Sequence, residues 1–271
     1  MDQYQVLGNP IKHSKSPAIH KVFAVETKQD MEYSAQLVAE GDFESYVEQF
    51  FNRGGKGLNI TVPFKQRAFA LAKHPSAAAS LAAAANTLWC NADGELCADN
   101  TDGVGMVRDI TANLAGSLAG KRVLILGAGG AVRGVLEPVL AQKLSELVIA
   151  NRTVSKAQDL ADAVQQLGNV SACGFTEVTG QFDWIINGTS ASLSGDLPPL
   201  PAGILAAGAR TYDMMYGAEP TVFSQWAMQQ GAAQADDGLG MLVEQAAEAF
   251  TIWRGVRPST QQLLADLRAQ L

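Results

Sequence analysis

The apolar run at residues 122–126, Arg122-Val123-Leu124-Ile125-Leu126, breaks off into Gly127-Ala128-Gly129-Gly130 and leads into a segment with helical spacing. Few folds accept that juxtaposition. A strand that is apolar at successive positions is buried on both faces, as in a parallel sheet covered by helices. Glycines between such a strand and a helix let the backbone pass close to a pyrophosphate. The phosphate then rests on free amides at the positive end of the helix. The third glycine of the usual dinucleotide fingerprint falls on Val132, so helix and strand are expected to pack differently from the commonest form. A glycine-rich turn in an unrelated α/β protein is the competing reading.

The choice of dinucleotide is read at the end of the next strand, residues 147–150. An acidic residue there would hold the ribose hydroxyls of NAD and repel a phosphate. This chain has Asn151-Arg152-Thr153 instead, with Lys156 close behind. Arg152 can stack on adenine and pair with a 2′-phosphate, and Thr153 offers a hydroxyl. NADP is therefore favoured over NAD, against the plainer alternative of a surface arginine.

Upstream, Asn59-Ile60-Thr61-Val62-Pro63-Phe64-Lys65 and Asp99-Asn100-Thr101-Asp102-Gly103 form a second informative pair. Pro63 has no amide to give to a ladder, so it is expected to stop the strand at 58–62 and open the chain into a loop or helix. Lys65 then stands at a strand's carboxyl end, where open α/β sheets present ligand sites. A lysine beside the Asp102 carboxylate suits acid–base chemistry, whereas singly each would read as a solvated surface charge. Asn59, Thr61, Asn86, Asn100 and Thr101 interrupt apolar runs, which is costly unless they bind one another or a ligand.

The remaining elements fit an α/β reading. Strands are expected at 4–7, 31–38, 87–90, 95–98, 184–186 and 211–214, and helices at 17–26, 43–51, 77–85, 155–167, 239–254 and 260–271. Asn91-Ala92-Asp93-Gly94 is a hairpin turn signal, so the first sheet is mostly parallel with a hairpin appended. The helix after the glycine turn is expected to run to about 144, with Pro138 kinking it or ending an early segment. Residues 196–201, with three prolines, are the most loop-like stretch.

The chain has 271 residues, room for two domains, and a net charge of −7, which argues against nonspecific nucleic-acid binding. Three cysteines, Cys90, Cys97 and Cys173, make neither a metal spacing nor an even disulfide set, and reduced thiols are expected. Three histidines, His13, His20 and His74, leave little material for a metal site, and none is expected. No signal peptide and no apolar stretch of membrane-spanning length is apparent, so a cytoplasmic protein without membrane contact is expected.

Near the amino terminus, Gly8-Asn9-Pro10-Ile11-Lys12-His13-Ser14-Lys15-Ser16-Pro17 precedes a helix. Ser14 and Ser16 could cap that helix, with Pro17 as its first residue, or present hydroxyls and amides to a carboxylate.

Taken with Asn86-Thr87, Asn187-Gly188-Thr189-Ser190, the 212–216 segment and the 238–245 segment, these motifs resemble shikimate dehydrogenase over nearly the whole chain. The resemblance implies two α/β domains with a cleft between them: an amino-terminal substrate domain and a Rossmann-type NADP-binding domain. It implies that residues 1–102 and 238–271 form a discontinuous substrate domain and 103–237 the cofactor domain. The activity implied is NADPH-dependent reduction of 3-dehydroshikimate to shikimate in aromatic amino-acid biosynthesis.

Carried over by resemblance, Ser14 and Ser16 would hold the substrate carboxylate, with Tyr216 nearby. Thr61, Asn86 and Gln245 would bind ring hydroxyls, and Lys65 and Asp102 would stand at the reacting carbon. Gly127, Ala128, Gly129, Gly130 and Ala131 would line the pyrophosphate, and Asn151, Arg152, Thr153 and Lys156 the adenosine phosphate. Thr189, Met214 and Gly238 would complete the cofactor site, Met214 near the nicotinamide. Gly188 stands where many members carry alanine. A quinate/shikimate dehydrogenase, a methylenetetrahydrofolate dehydrogenase and a dinucleotide-binding sensor without turnover are the competing functions. Monomer and homodimer are both compatible with the sequence.

Overall fold

The computed structural model of the protein describes residues 1–191 and 195–271. The chain divides into two compact units, Met1–Gly105 with Val243–Asp266, and Met106–Leu242 with Leu267–Leu271. Residues 238–242 and 267–271 thus group with the second unit and 103–105 with the first, unlike the expected division into 1–102 with 238–271 and 103–237.

In the first unit the chain runs β1 (Asp2–Gly8), α1 (Ser16–Glu26), β2 (Met31–Leu37), α2 (Phe43–Asn52), β3 (Gly57–Ile60), α3 (Lys65–Leu71), β4 (His74–Pro75), α4 (Ala77–Ala82), β5 (Thr87–Cys90), β6 (Leu96–Asp99) and α5 (Asp102–Arg108). The sheet order is β2-β1-β3-β5-β6-β4. β1 pairs in parallel with β2 and β3, and β4 pairs in parallel with β6. The β5–β6 hairpin supplies the antiparallel pairs. Its turn closes as the sequence suggests: Gly94 takes a φ of +78°, and Asn91 Oδ1 accepts the amides of Asp93 and Glu95 at 3.0 and 2.9 Å. The hairpin register sets Cys97 against Trp89 and Cys90 against Leu96, so the two thiols lie on opposite faces and are free.

One face of this sheet packs on Phe43, Val47, Phe64 and Ala68. Arg67 lies over the stacked rings of Phe43 and Phe64. On another side His20, Phe23, Tyr33, Phe250 and Trp253 form an aromatic cluster that seats α1 against residues 243–254. Gly57 makes room for it, since a Cβ there would meet the Trp253 ring at 2.5 Å.

The second unit contains β7 (Arg122–Leu126), α6 (Gly130–Leu140), β8 (Glu146–Ala150), α7 (Val154–Val164), β9 (Val170–Cys173), β10 (Phe182–Asn187), β11 (Leu205–Asp213), α8 (Val222–Gln229) and β12 (Gln234–Asp237). Its sheet is parallel throughout, in the order β12-β11-β10-β7-β8-β9. Strand order reverses direction at β7, which makes the carboxyl end of β7 the topological switch point. Helices α9 (Leu239–Arg254) and α10 (Gln261–Ala269) complete the chain, and the division into units falls inside α5, α9 and α10.

Two local expectations are corrected. The strand expected to run through Val62 ends at Ile60, and α3 begins at Lys65 itself. Helix α6 contains Pro138 in its last turn and stops at Leu140 rather than near 144, and Lys143 just beyond it takes a φ of +59°, the left-handed conformation that ends a helix.

Candidate active site and cofactor loop

In the first unit four side chains converge from β5, α3, α5 and α9. Lys65 opens α3, Asn86 precedes β5, Asp102 opens α5 and Gln245 lies on α9. Lys65 Nζ donates to Asp102 Oδ2 at 2.6 Å. Asn86 Nδ2 lies 2.9 Å from Asp102 Oδ1, 2.9 Å from Thr101 Oγ1 and 3.3 Å from Gln245 Oε1. The Lys65 side chain is 31% exposed and that of Asp102 18%, so the ion pair is reachable from solvent without being freely solvated.

The rest of the cluster holds Asn86 in place. Its Oδ1 accepts the Thr101 amide at 2.9 Å and the Thr87 hydroxyl at 2.9 Å. Asn59 Nδ2 donates to Asn86 O at 3.1 Å, and Tyr33 Oη donates to Asn59 Oδ1 at 2.7 Å. Asn100 Oδ1 accepts the Asp102 amide at 3.2 Å, and Asn100 Nδ2 donates to Ala84 O at 3.1 Å. Asn59, Asn86, Asn100 and Thr101 are all buried, and each is satisfied by this set. Of the polar residues that interrupt apolar runs, Asn59, Asn86 and Thr101 therefore bind one another, Asn100 binds backbone groups, and Thr61 stands apart. Burial pushes the Tyr33 phenol well above its ordinary pKa, so Tyr33 is a neutral donor here.

Ser14 and Ser16 stand at the start of α1, and neither occupies the capping position, although Ser14 holds the first amide of the helix. The residue before the helix is Lys15, no side chain among the described residues caps it, and Ser14 Oγ instead accepts the Ser16 amide at 3.3 Å. Thr61 lies just beyond β3, its amide bonded to Leu7 O at 3.0 Å. Gly8 permits that approach, since a Cβ at position 8 would sit 2.5 Å from Thr61 Cγ2. The hydroxyls of Ser14 and Thr61 are not part of the Asn86 network. Tyr216 belongs to the second unit, half-buried, its phenol pushed up by burial and by the Asp237 charge.

In the second unit the expected cofactor residues gather at the carboxyl ends of the strands. Gly127 follows β7 with a φ of +106°, and a Cβ there would meet Gly188 O at 3.2 Å. Gly129 and Gly130 are different, because a Cβ on either would point into open space. Nothing among the described residues requires those two glycines, and the room they leave suits a pyrophosphate. Helix α6 starts at Gly130 with no side chain among the described residues capping its first amides, which leaves them for an anion. Ala128 and Ala131 flank this opening, Ala131 exposed. The departure at the third glycine has a structural counterpart. Val132 is fully buried, and its Cγ2 would lie 2.4 Å from a Cβ on Gly188.

Asn151 Nδ2 donates to Thr153 O at 2.9 Å and so fixes the turn after β8. Arg152, Thr153 and Lys156 are exposed around it, and Arg152 makes no ion pair among the described residues. Thr189 donates both its amide and its hydroxyl to Asn187 Oδ1, at 3.1 and 2.7 Å. The Met214 amide donates to Asn187 O at 2.9 Å. Gly238 lies so close to Met214 O that a Cβ would be 2.2 Å away. An open glycine cradle, uncapped helix amides and an arginine without an ion pair fit a phosphorylated dinucleotide.

Sequence reasoning placed Thr101 among the polar residues that must bind one another or a ligand, but assigned no role to Tyr33 or to the buried Glu244, which accepts from Arg257 Nη2 at 2.7 Å. Thr101 carried a signal, as a polar residue in an apolar run. Glu244 carried none, because its partner becomes a neighbour only in the fold.

Comparison with known proteins gives matches along most of the chain. Residues 6–88 match the shikimate dehydrogenase substrate binding domain, 109–194 the shikimate / quinate 5-dehydrogenase family, and 238–267 the shikimate 5′-dehydrogenase C-terminal domain. A shikimate dehydrogenase (NADP(+)) of Cellvibrio japonicus is 58% identical over 100% of this chain and 98% of its own length. Among solved structures, an Ael1 enzyme from Pseudomonas putida is 50% identical with a TM-score of 0.95, covering 98% of each chain. A shikimate 5-dehydrogenase from Thermus thermophilus, solved with NADP(H) and shikimate, is 28% identical with a TM-score of 0.87 over 100% of both chains. Matches of this extent at this identity leave one conclusion: the chain belongs to the shikimate dehydrogenase family.

Proposed function

We propose that this chain reduces 3-dehydroshikimate to shikimate with NADPH, reversibly, using Lys65 and Asp102 at the reacting carbon. The observation that carries the reading is the Lys65–Asp102 pair, 2.6 Å apart and tied through Asn86 to Gln245. The unit built from Met1–Gly105 and Val243–Asp266 takes the substrate, and the unit built from Met106–Leu242 takes the dinucleotide.

NADPH, when bound, supplies a hydride to the C3 carbonyl carbon. Charge then grows on the carbonyl oxygen, and the Lys65 ammonium stabilises it and gives up a proton to form the hydroxyl. Asp102 holds the ammonium in position. Asn86, Thr61 and Gln245 orient the ring through its hydroxyls, and Ser14 and Ser16 hold the carboxylate. Gly127, Gly129 and Gly130 give the pyrophosphate access to the amides of α6, and Arg152 pairs with the 2′-phosphate.

The test is nicotinamide absorbance with shikimate and quinate, each with NADP⁺ and with NAD⁺. Turnover of shikimate with NADP⁺ well above the other three combinations is the expected outcome. Comparable turnover of quinate would replace this substrate assignment, and silence in all four would leave a binding protein without the chemistry.

A further inference from the structure

Gln245 sits on a helix, α9, and its reach depends on how closely that helix approaches the elements carrying Asn86 and Asp102. Gly105, in α5, is a point of close approach. A Cβ at position 105 would lie 2.6 Å from Gln245 N, 2.8 Å from Gln245 Cβ and 2.9 Å from Gln245 Cα. Two of those three atoms are backbone. No side-chain rotation relieves such a clash, so any larger residue at 105 must move the helix.

A directional contact adds to the steric one. The Thr101 hydroxyl donates to Gln245 O at 3.0 Å, and the Gly105 amide donates to Thr101 O at 2.9 Å. One turn of chain therefore touches Gln245 twice, once by hydrogen bond and once by the absence of a side chain. Gln245 Oε1 stands 3.3 Å from Asn86 Nδ2, near the outer edge of hydrogen-bond range. A shift of a few tenths of an ångström in α9 would break that contact and carry the amide away from the ring hydroxyl it is positioned to meet.

We infer that Gly105 and Thr101 are positioning residues that set the depth of Gln245 in the substrate site. The inference rests on the reading of Gln245 as a substrate-binding residue. It gives the glycine a role beyond helix packing, because Gly105 is buried and the three atoms nearest to a Cβ at its position all belong to Gln245.

The test is a kinetic cycle with Gly105→Ala, Thr101→Val and Gln245→Ala. Gly105→Ala is expected to raise KM for shikimate about tenfold, the scale of one lost hydrogen bond. Its KM for NADP⁺ should stay within twofold and its kcat should fall less than its kcat/KM. Thr101→Val keeps the shape of the side chain, and is expected to shift KM for shikimate in the same direction. It carries the test if Gly105→Ala fails to fold, as judged by circular dichroism. In the Gln245→Ala background Gly105→Ala should add no more than twofold; Thr101→Val also removes the contact of Thr101 Oγ1 with Asn86 Nδ2 and is read in the wild-type background alone. An unchanged KM in Gly105→Ala and Thr101→Val, or full additivity of Gly105→Ala with Gln245→Ala, would overturn the inference while leaving the proposed function intact. A wild-type KM in Gln245→Ala alone would overturn the reading of Gln245 and this inference with it.

Discussion

Asp102 divides its carboxylate between two partners: Oδ2 accepts Lys65 Nζ at 2.6 Å and Oδ1 accepts Asn86 Nδ2 at 2.9 Å. The lysine is thereby fixed relative to a side chain that is itself held by Thr87, Thr101 and, through its backbone carbonyl, Asn59. A group that must meet developing charge in one place gains from such fixing, since it needs no reorganisation as the charge appears.

Lys65→Ala should accordingly lower kcat by roughly 10²–10⁴-fold, the usual scale for a positioned proton donor. Stability should change little, because a partly exposed ion pair contributes only about 0–1 kcal/mol. Asp102→Asn should also lower kcat, through loss of the charge that orients the ammonium. Steady-state rates with thermal melts check both. A Lys65→Ala enzyme within a few-fold of wild type would remove Lys65 from the chemistry.

Arg152 is exposed after β8 with no ion pair among the described residues, so its guanidinium is available to a phosphate. Arg152→Ala should raise KM for NADP⁺ by about 10–100-fold, as expected for losing a charge-assisted hydrogen bond. KM for NAD⁺ should move far less, since NAD⁺ lacks the 2′-phosphate. The ratio of the two constants is the measurement. An equal rise in both would assign Arg152 to adenine stacking alone.

Much of this arrangement was legible in the sequence, for reasons visible in particular residues. The run 122–126 is buried on both faces and had to be a central strand. The glycines after it mark a turn that the φ of Gly127 requires. The strands that escaped notice lie at the sheet edges. β9 and β12 are the outermost strands of their sheet, and Gln234-Ala235-Asp236-Asp237 has no apolar alternation to announce a strand. Helix α3 was hidden because Pro63 signals where a strand stops but does not distinguish a loop from a helix after it. The Asn86 hub was legible as a set of misplaced polar residues. Its geometry was not, because it depends on side chains from β5, α5 and α9 meeting in space.

The Glu244 carboxylate is 1% exposed and accepts from Arg257 Nη2 at 2.7 Å and from Thr260 Oγ1 at 2.5 Å. Removing the arginine takes away the cation that pairs with this buried carboxylate. Arg257→Met should cost about 3 kcal/mol in urea unfolding. Adding Glu244→Leu should recover most of that loss, since the burial cost of the carboxylate disappears with it. A double variant as unstable as the single one would show that packing, not charge, sets the cost.

His20 is fully buried and stacks on Tyr33 at 4.1 Å with the rings nearly parallel, and neither ring nitrogen has a well-formed hydrogen bond among the described residues. Burial pushes its pKa down to about 3, and the neighbouring Asn59 side chain opposes this only weakly. An unfolded histidine titrates near ~6.5. Above that pH the ring is neutral in both states and contributes no pH dependence. As pH falls below about 6.5, the unfolded chain takes up a proton that the folded chain refuses until about 3, so stability declines across that window. At pH 5 the loss amounts to about 2 kcal/mol. His20→Phe keeps a ring in the stack and removes the titration. Urea midpoints at pH 7 and pH 5 should therefore separate the proteins, with the wild type losing about 2 kcal/mol more than the variant on acidification. Equal losses would mean that the imidazole finds a way to carry its proton inside the fold.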